Sequence, residues 1–354
     1  MSKKYGIMLI GCGHIGEAHM SDIYYRDNVN IVAVIDDSIE KAKLFAKKYN
    51  ASYCDTDYLP YLNNDDVDIV IIATYTDSHY SILLDCLKAN KHVLCEKPIA
   101  CDLETGVGFY NAVKHSKSKV LIAHILRHNK TYQKAAEIIH SGTIGDIKLF
   151  RMVQNHHAKN WDRYKRLLSD CSPITDCGVH YIDVIQWFTD SKVCEVGGFS
   201  AKIDADSPRD NYGMLQMKLE NGSVGYYEVV WSPNSSSQNL KEFIGEKGRL
   251  SIELMDNRFD NREEGDKISL YHSETNTYET INIESKYKDM YNQLSNLIDM
   301  IENDTEANPT IDDVFSAFYV AMEADRAIAS KQVIIVDAKA YLEKSLRDLD
   351  IKVV

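Results

Sequence analysis

Tyr5-Gly6-Ile7-Met8-Leu9-Ile10-Gly11-Cys12-Gly13-His14-Ile15-Gly16 is the stretch on which the reading of the whole chain turns. Its first half is too continuously apolar to have a wet face, so it reads as a strand buried on both sides. Its second half has glycine at three fixed positions before a helical pattern resumes. The first glycine permits a tight turn, the second lets backbone approach an anion, and the third lets helix and strand pack closely. The first turn of the helix that follows offers unpaired N–H groups and the positive end of its dipole.

Working outward, Val29–Ile35 is a second apolar strand, and Asp36 at its end lies about 20 residues past Gly16, the spacing of an acid that holds a ribose. A carboxylate there accepts hydrogen bonds from the 2′- and 3′-hydroxyls of NAD and repels the 2′-phosphate of NADP. Asp37 adds to that repulsion, and no lysine or arginine follows until Lys41. Gly11, Gly13, His14, Ile15 and Gly16 would hold the pyrophosphate. Further strands are expected at 67–73, 92–94 and 120–123, separated by helices such as the one carrying Ile82, Leu83, Cys86 and Leu87, with Asn90 at its C-terminus. This alternation predicts a parallel sheet covered on both faces, a Rossmann domain over residues 1–125.

Beyond it the pattern changes. A longer strand is expected at 145–155 and a helix at 175–188. Leu215, Met217 and Leu219 then alternate with polar neighbours, and Asn221-Gly222 supplies a hairpin turn before a strand at 224–231. Strands at 240–244, 249–253, 268–272 and 278–283 and helices at 285–303 and 311–330 complete a second domain, residues 126–354, expected to be α+β with a large, mainly antiparallel open sheet.

The balance of charge, −13, argues against nucleic acid or an anionic membrane surface as partner, since either needs a basic face. The eight cysteines form no CxxC pair and several sit in apolar runs, which reads as reduced core thiols in a cytoplasmic protein without a zinc site. No run has the roughly 18 apolar residues of a membrane span.

Two further segments carry chemistry. Glu96-Lys97-Pro98 follows the strand at 92–94, at the carboxyl edge of the sheet, where ligands of such folds bind. In Asp176-Cys177-Gly178-Val179-His180-Tyr181-Ile182-Asp183, an α-helix would put Asp176 and His180 on one face with Asp183 nearby, a cluster able to orient an imidazole for acid/base work. A metal would lack a third ligand at helical spacing. The polar, aromatic stretch from Asn155 to Tyr164 reads as a loop leaving the first strand of the second domain. Its His156, Trp161 and Arg163 suit the apolar face and hydroxyls of a sugar.

In chain order these motifs, with Thr74, Thr76 and His79 in the run from Ala73 to His79, Arg127, and Gly245-Glu246-Lys247-Gly248, resemble the glucose–fructose oxidoreductase/inositol dehydrogenase (Gfo/Idh/MocA) family. Tyr75 departs from the proline that many members carry. The resemblance implies an NAD-dependent oxidoreductase acting on a sugar, cyclitol or related polyol, homodimeric or homotetrameric through the open face of its second sheet. It implies catalytic roles for Lys97, Asp176 and His180. It also implies cofactor contacts from Thr74, Thr76, His79, Glu96 and Lys97, and substrate contacts from Lys97, Arg127, Asp176 and His180. Two other readings share most of these features: an NAD-dependent glycosidase working by transient oxidation and elimination, and a redox-inactive NAD-binding sensor.

Overall fold

The computed structural model describes residues 3–254, 265–286 and 288–353. Two compact units emerge: Met1–Ile125 with Lys288–Val314, and Leu126–Tyr287 with Phe315–Val354.

The first unit contains a six-stranded parallel sheet in the order β3-β2-β1-β4-β5-β6. Its strands are β1 (Tyr5–Ile10), β2 (Val29–Ile35), β3 (Tyr53–Asp55), β4 (Ile69–Ile72), β5 (His92–Cys95) and β6 (Val120–Ile122). Helices α1 (His14–Ile23), α2 (Ile39–Tyr49), α3 (Leu59–Leu62), α4 (Thr76–Lys88) and α5 (Leu103–Lys114) alternate with them. The chain reverses direction across the sheet between β1 and β4, and the crevice at the carboxyl ends of these strands is where such a sheet takes its ligand. Local chemistry sets the helix ends. Ser38 and Asp102 cap α2 and α5 by accepting the backbone N–H of Lys41 and Thr105. Asn90 takes the left-handed conformation (φ 56°) just beyond α4.

The second domain expected over 126–354 needs correction, because residues 288–314 belong to the first unit. Helix α9 (Met290–Asn303) buries Leu294, Leu297, Ile298 and Met300 in one cluster with Ile7 and Leu9 of β1, Ile31 and Val34 of β2 and Met20 and Ile23 of α1. Arg26 fixes it further, donating to Tyr291 O and Ser295 Oγ, each at 2.9 Å, while its guanidinium lies 4.0 Å from the Tyr291 ring centre. Amphipathic spacing shows that a helix exists but not which sheet it covers.

The second unit is built on a nine-stranded sheet ordered β14-β13-β12-β11-β7-β10-β9-β8-β15. The strands are β7 (Ile147–His157), β8 (Val193–Ala201), β9 (Tyr212–Leu219), β10 (Val224–Ser232), β11 (Gln238–Gly245), β12 (Gly248–Glu253), β13 (Asp266–His272), β14 (Thr277–Ile283) and β15 (Ile334–Ile335). Every neighbouring pair is antiparallel except β7 with β10. Strand β8 escapes the sequence reading because Gly197-Gly198 interrupts its alternation, and Gly198 sits at φ 153°. Gly222, at φ 86°, makes the β9–β10 hairpin as expected.

One face of this sheet is dry. Phe150, Met152, Tyr227, Phe243, Leu250 and Leu270 are buried there. Helices α6 (Lys130–His140) and α8 (Val179–Thr189) cover it, with Phe188 edge-on to Phe243 and Tyr181 stacked on Tyr227 at 4.7 Å. Lys241 of β11 lies in this apolar layer, fully buried, its Nζ without a hydrogen-bond partner among the described residues and 5.0 Å from the Tyr181 ring centre. Burial pushes its ammonium group well below the ordinary lysine value. The opposite face leaves Phe199, Val224 and Leu240 exposed. Helices α7 (Trp161–Asp170), α10 (Ile311–Ser330) and α11 (Ala338–Val353) complete the chain, the unit boundary falling within α10 after Val314.

Candidate functional site

The three glycines of the first turn stand in different surroundings. Gly11 has φ 100°, and a Cβ there would lie 2.5 Å from Ala73 O. A Cβ on Gly16 would lie 2.0 Å from Gly11 O, so this glycine lets α1 press on the turn. A Cβ on Gly13 would meet nothing within 4 Å, and Gly13 is exposed with His14 beside it. Two closed glycines and one open one make a cradle that fits a pyrophosphate at the N-terminus of α1.

Asp36 closes the far side of this turn. Its Oδ2 accepts the Cys12 N–H at 2.8 Å and its Oδ1 the Ser38 N–H at 3.0 Å, leaving lone pairs for ribose hydroxyls. Burial, reinforced by the Asp36 charge, raises the Cys12 thiol to about 12, so it packs as a neutral group. Asp37 is exposed. The sequence reading placed no cation near this acid, but α2 brings Lys41 Nζ back to 3.7 Å from Asp36 Oδ1.

Glu96-Lys97-Pro98 is tied to its surroundings on both sides. His19 of α1 donates through Nε2 to Glu96 Oε1 at 2.9 Å. Burial alone would raise the Glu96 carboxyl, but the His19 bond and the neighbouring Lys97 charge outweigh it and hold the group below its ordinary value. His79 is also buried, its Nδ1 2.8 Å from Pro98 O and its Nε2 3.2 Å from Thr74 O. Burial pushes that imidazole below its ordinary value, while the two carbonyl oxygens facing its ring nitrogens oppose the shift. Thus His79 stitches the Thr74–Thr76 turn to the Lys97 loop, Thr74, Thr76 and Lys97 remaining partly exposed while Ile15 is half-buried above the glycine turn.

In the second unit, Asp176 stands on a π-helical turn, Ile174–Gly178, and His180 is the second residue of α8. The expected single α-helix over 175–188 is therefore a wide turn followed by a helix, a departure frequent at functional sites. Both side chains are partly exposed. Asp183, expected beside His180, instead holds Arg127: Nε and Nη2 each donate to its carboxylate at 2.8 Å. Arg127 is only 6% exposed and its guanidinium lies 4.8 Å from the Trp187 ring centre. The structure therefore sets Arg127, expected at the substrate, in a buried bidentate pair that braces α8.

The stretch read as a loop is a strand end and a helix. β7 runs on through His157, and α7 begins at Trp161 with Asn160 as its cap. Inside this corner His156 stacks on Trp231 at 6.3 Å, and Tyr164 meets both rings edge-on, its hydroxyl 3.2 Å from His156 Nδ1. Burial raises the Tyr164 phenol, the neighbouring Arg163 charge opposing the rise and Cys177 and Asp176 adding to it. A hollow of about 790 Å³ opens here, lined by His156, His157, Lys159, Tyr164 and the loop 234–237. Trp161 points its N–H at Asp206, 3.0 Å from Oδ2, and Arg163 is exposed, 5.9 Å from the Tyr164 ring centre.

Sequence reading named His156 but passed over Tyr164 and the serine-rich loop. A tyrosine three residues after Trp161 on one amphipathic helix was the available signal. Among the described residues no cluster of three or more His, Cys, Asp or Glu side chains could hold a metal ion, and no helix is long and apolar enough to cross a membrane.

Two family models match this chain. One, described as an oxidoreductase family with an NAD-binding Rossmann fold, covers residues 5–124; the other, the GFO/IDH/MocA C-terminal domain, covers residues 132–251. Inositol 2-dehydrogenase 2 of Saccharopolyspora erythraea is 25% identical over 250 residues, which is 70% of this chain and 72% of that protein. Among solved structures, myo-inositol 2-dehydrogenase from Lactobacillus plantarum matches with a TM-score of 0.79 at 17% identity, over 95% of this chain and 100% of that one. Scyllo-inositol dehydrogenase from Lactobacillus casei, solved with NAD(H) and scyllo-inositol, gives 0.76 at 20% identity, over 94% and 99%.

Proposed function

Because this chain belongs to the Gfo/Idh/MocA oxidoreductase family, we propose that it is a cytoplasmic dehydrogenase that oxidises one hydroxyl of a cyclitol or closely related sugar, with NAD as the hydride acceptor. The observation that carries this reading is the pinned Lys97 loop at the carboxyl edge of a sheet whose first turn is an open glycine cradle. That relatives of this chain are named inositol dehydrogenases favours a cyclitol.

In this reading Gly11, Gly13, His14, Ile15 and Gly16 seat the pyrophosphate, Asp36 and Asp37 face the adenosine ribose, and Thr74, Thr76, His79 and Glu96 shape the rest of the cofactor site. Bound NAD supplies the carbon that receives hydride. The Lys97 ammonium holds the reacting hydroxyl oxygen and stabilises the negative charge that grows on it. His180 accepts the hydroxyl proton, and Asp176 anchors a neighbouring hydroxyl or the imidazole. The His156, Tyr164 and Trp231 rings offer flat apolar surface beside hydrogen-bonding edges, which suits the face of a polyol ring. Trp161 and Arg163 border that corner, and Arg127 supports the substrate side through Asp183 rather than by touching the ligand. The exposed Phe199, Val224 and Leu240 favour burial of the open sheet face in a homodimer or homotetramer, which light scattering at micromolar concentration tests.

The test is a screen of inositols, free sugars and glycosides followed by NADH absorbance, run in parallel with NADP. NADH should accumulate with a free polyol, and NAD should be the better acceptor because Asp36 repels a 2′-phosphate more than the exposed Lys41 attracts it. Glycoside cleavage without net NADH would replace this reading with the glycosidase one. NAD binding without turnover of any of these compounds would replace it with the sensor.

A further inference from the structure

Asp325 lies on α10, far in sequence from every motif considered above, yet its carboxylate is the hub of the turn that carries Asp176. Ser172 Oγ donates to it, 2.7 Å from Oδ1 and 2.8 Å from Oδ2, and Thr175 Oγ1 donates to Oδ2 at 2.6 Å. The same Ser172 hydroxyl accepts the Thr175 N–H at 3.0 Å, and the Ser172 carbonyl accepts the Asp176 N–H at 3.0 Å. The clamp thus begins two residues before the π-helical turn and reaches the backbone of Asp176 itself.

A π-helical turn is rare, and neither it nor the start of α8 has a side-chain cap of its own. A wide turn of this kind persists only where its surroundings over-determine it. Asp325 supplies that determination: a carboxylate removed from water must be satisfied, and both hydroxyls on this segment are aimed at it. Burial raises the Asp325 carboxyl and the two hydroxyl bonds oppose that rise, with Arg209 adding a favourable charge.

We propose that Asp325 is a positioning residue for the reaction, setting the place of Asp176 through Ser172 and Thr175. This rests on the reading of Asp176 as part of the working site. A structural bystander and a positioning residue both affect stability, but only the second acts through Asp176, and a double-mutant cycle on turnover separates them.

Asp325→Ala should lower kcat/KM by about 10²-fold, the scale of a misplaced site, with NAD affinity unchanged. In an Asp176→Ala background the same substitution should cost less than about threefold, because the group it positions is gone. Thr175→Val should lose about tenfold, while Thr175→Ser, which keeps the hydroxyl, should retain most of what Thr175→Val loses. If Asp325→Ala does not fold, the Thr175 pair decides alone. Equal losses from Asp325→Ala in both backgrounds, or equal activity of Thr175→Val and Thr175→Ser, would overturn the proposal and leave the site reading standing. Parental turnover in Asp176→Ala would overturn both.

Discussion

The glycine turn of the first unit and the π-helical turn of the second are held in different ways. Gly11–Gly16 is fixed by backbone sterics: each closed glycine marks a place where no side chain fits. Ile174–Gly178 is fixed by side chains reaching it from elsewhere, Asp325 onto Ser172 and Thr175, and Arg127 onto Asp183 in the helix that follows. A turn held by sterics tolerates no side chain at its closed glycines, Gly11 and Gly16. A turn held by hydrogen bonds depends on side chains far off in the sequence, here Asp325 of α10.

The sharpest way to break this contrast is to remove the working groups. Lys97→Ala and His180→Ala should each lower turnover by about two to four orders of magnitude, as expected for losing charge stabilisation or an acid/base group. NAD affinity, measured separately by titration, should stay within a few-fold of the parent. Near-normal turnover in either variant would place the chemistry elsewhere.

The glycines themselves sharpen it next. Gly16→Ala should weaken NAD binding and lower the melting temperature together, because its Cβ would collide with Gly11 O. Gly13→Ala has extended backbone (φ −88°, ψ −165°) and open space, so the fold should keep or gain about 0.4–1 kcal/mol. NAD affinity should nonetheless drop about tenfold as the methyl takes the room a phosphate needs. Equal thermal loss in both variants would show that the cradle is not divided into closed and open positions.

The smallest expected effect concerns Lys241, whose buried Nζ has no hydrogen-bond partner among the described residues. Its folded value lies below its unfolded one, so the unfolded chain binds the proton first, and stability falls as pH drops below the unfolded value of about 10.4 until the folded value is reached. Lys241→Met should therefore stabilise the protein, more at pH 7 than at pH 10. Denaturant titrations showing a gain independent of pH would mean that Lys241 is ionised in the fold.

How much of this was legible follows the same division. β1 and β2 have the bounds that their apolar runs predict, and Asp36 lies where spacing puts it, because burial on both faces and steric need are written in local sequence. β3 was missed: it is three residues long and only partly buried. α7 escapes the sequence reading because the stretch Asn155–Tyr164, which enters it, reads as polar and aromatic, although the helix's one-sided spacing is strong. The π-helical turn has no local signature, and the carboxylate its hydroxyls bond lies on α10, 150 residues beyond Thr175. The Arg127–Asp183 pair likewise needs the fold to be seen, and without it Arg127 reads as a substrate contact and Asp183 as a neighbour of His180.

Helix α9 has a consequence for the order in which the molecule can be made. Synthesis runs from the N-terminus, and domains generally fold as units. Here the unit that begins at β1 recruits Leu294, Leu297, Ile298 and Met300 into its core. While the ribosome is still adding the second unit, β1, β2 and α1 must wait with an apolar face exposed to water. A chain cut after Ile125 would keep every strand of the parallel sheet and still lack one wall of its core, leaving it prone to associate through that face. The nascent chain is therefore most in need of a chaperone not at its end but through the long interval when its first sheet is complete and its last cover has not emerged.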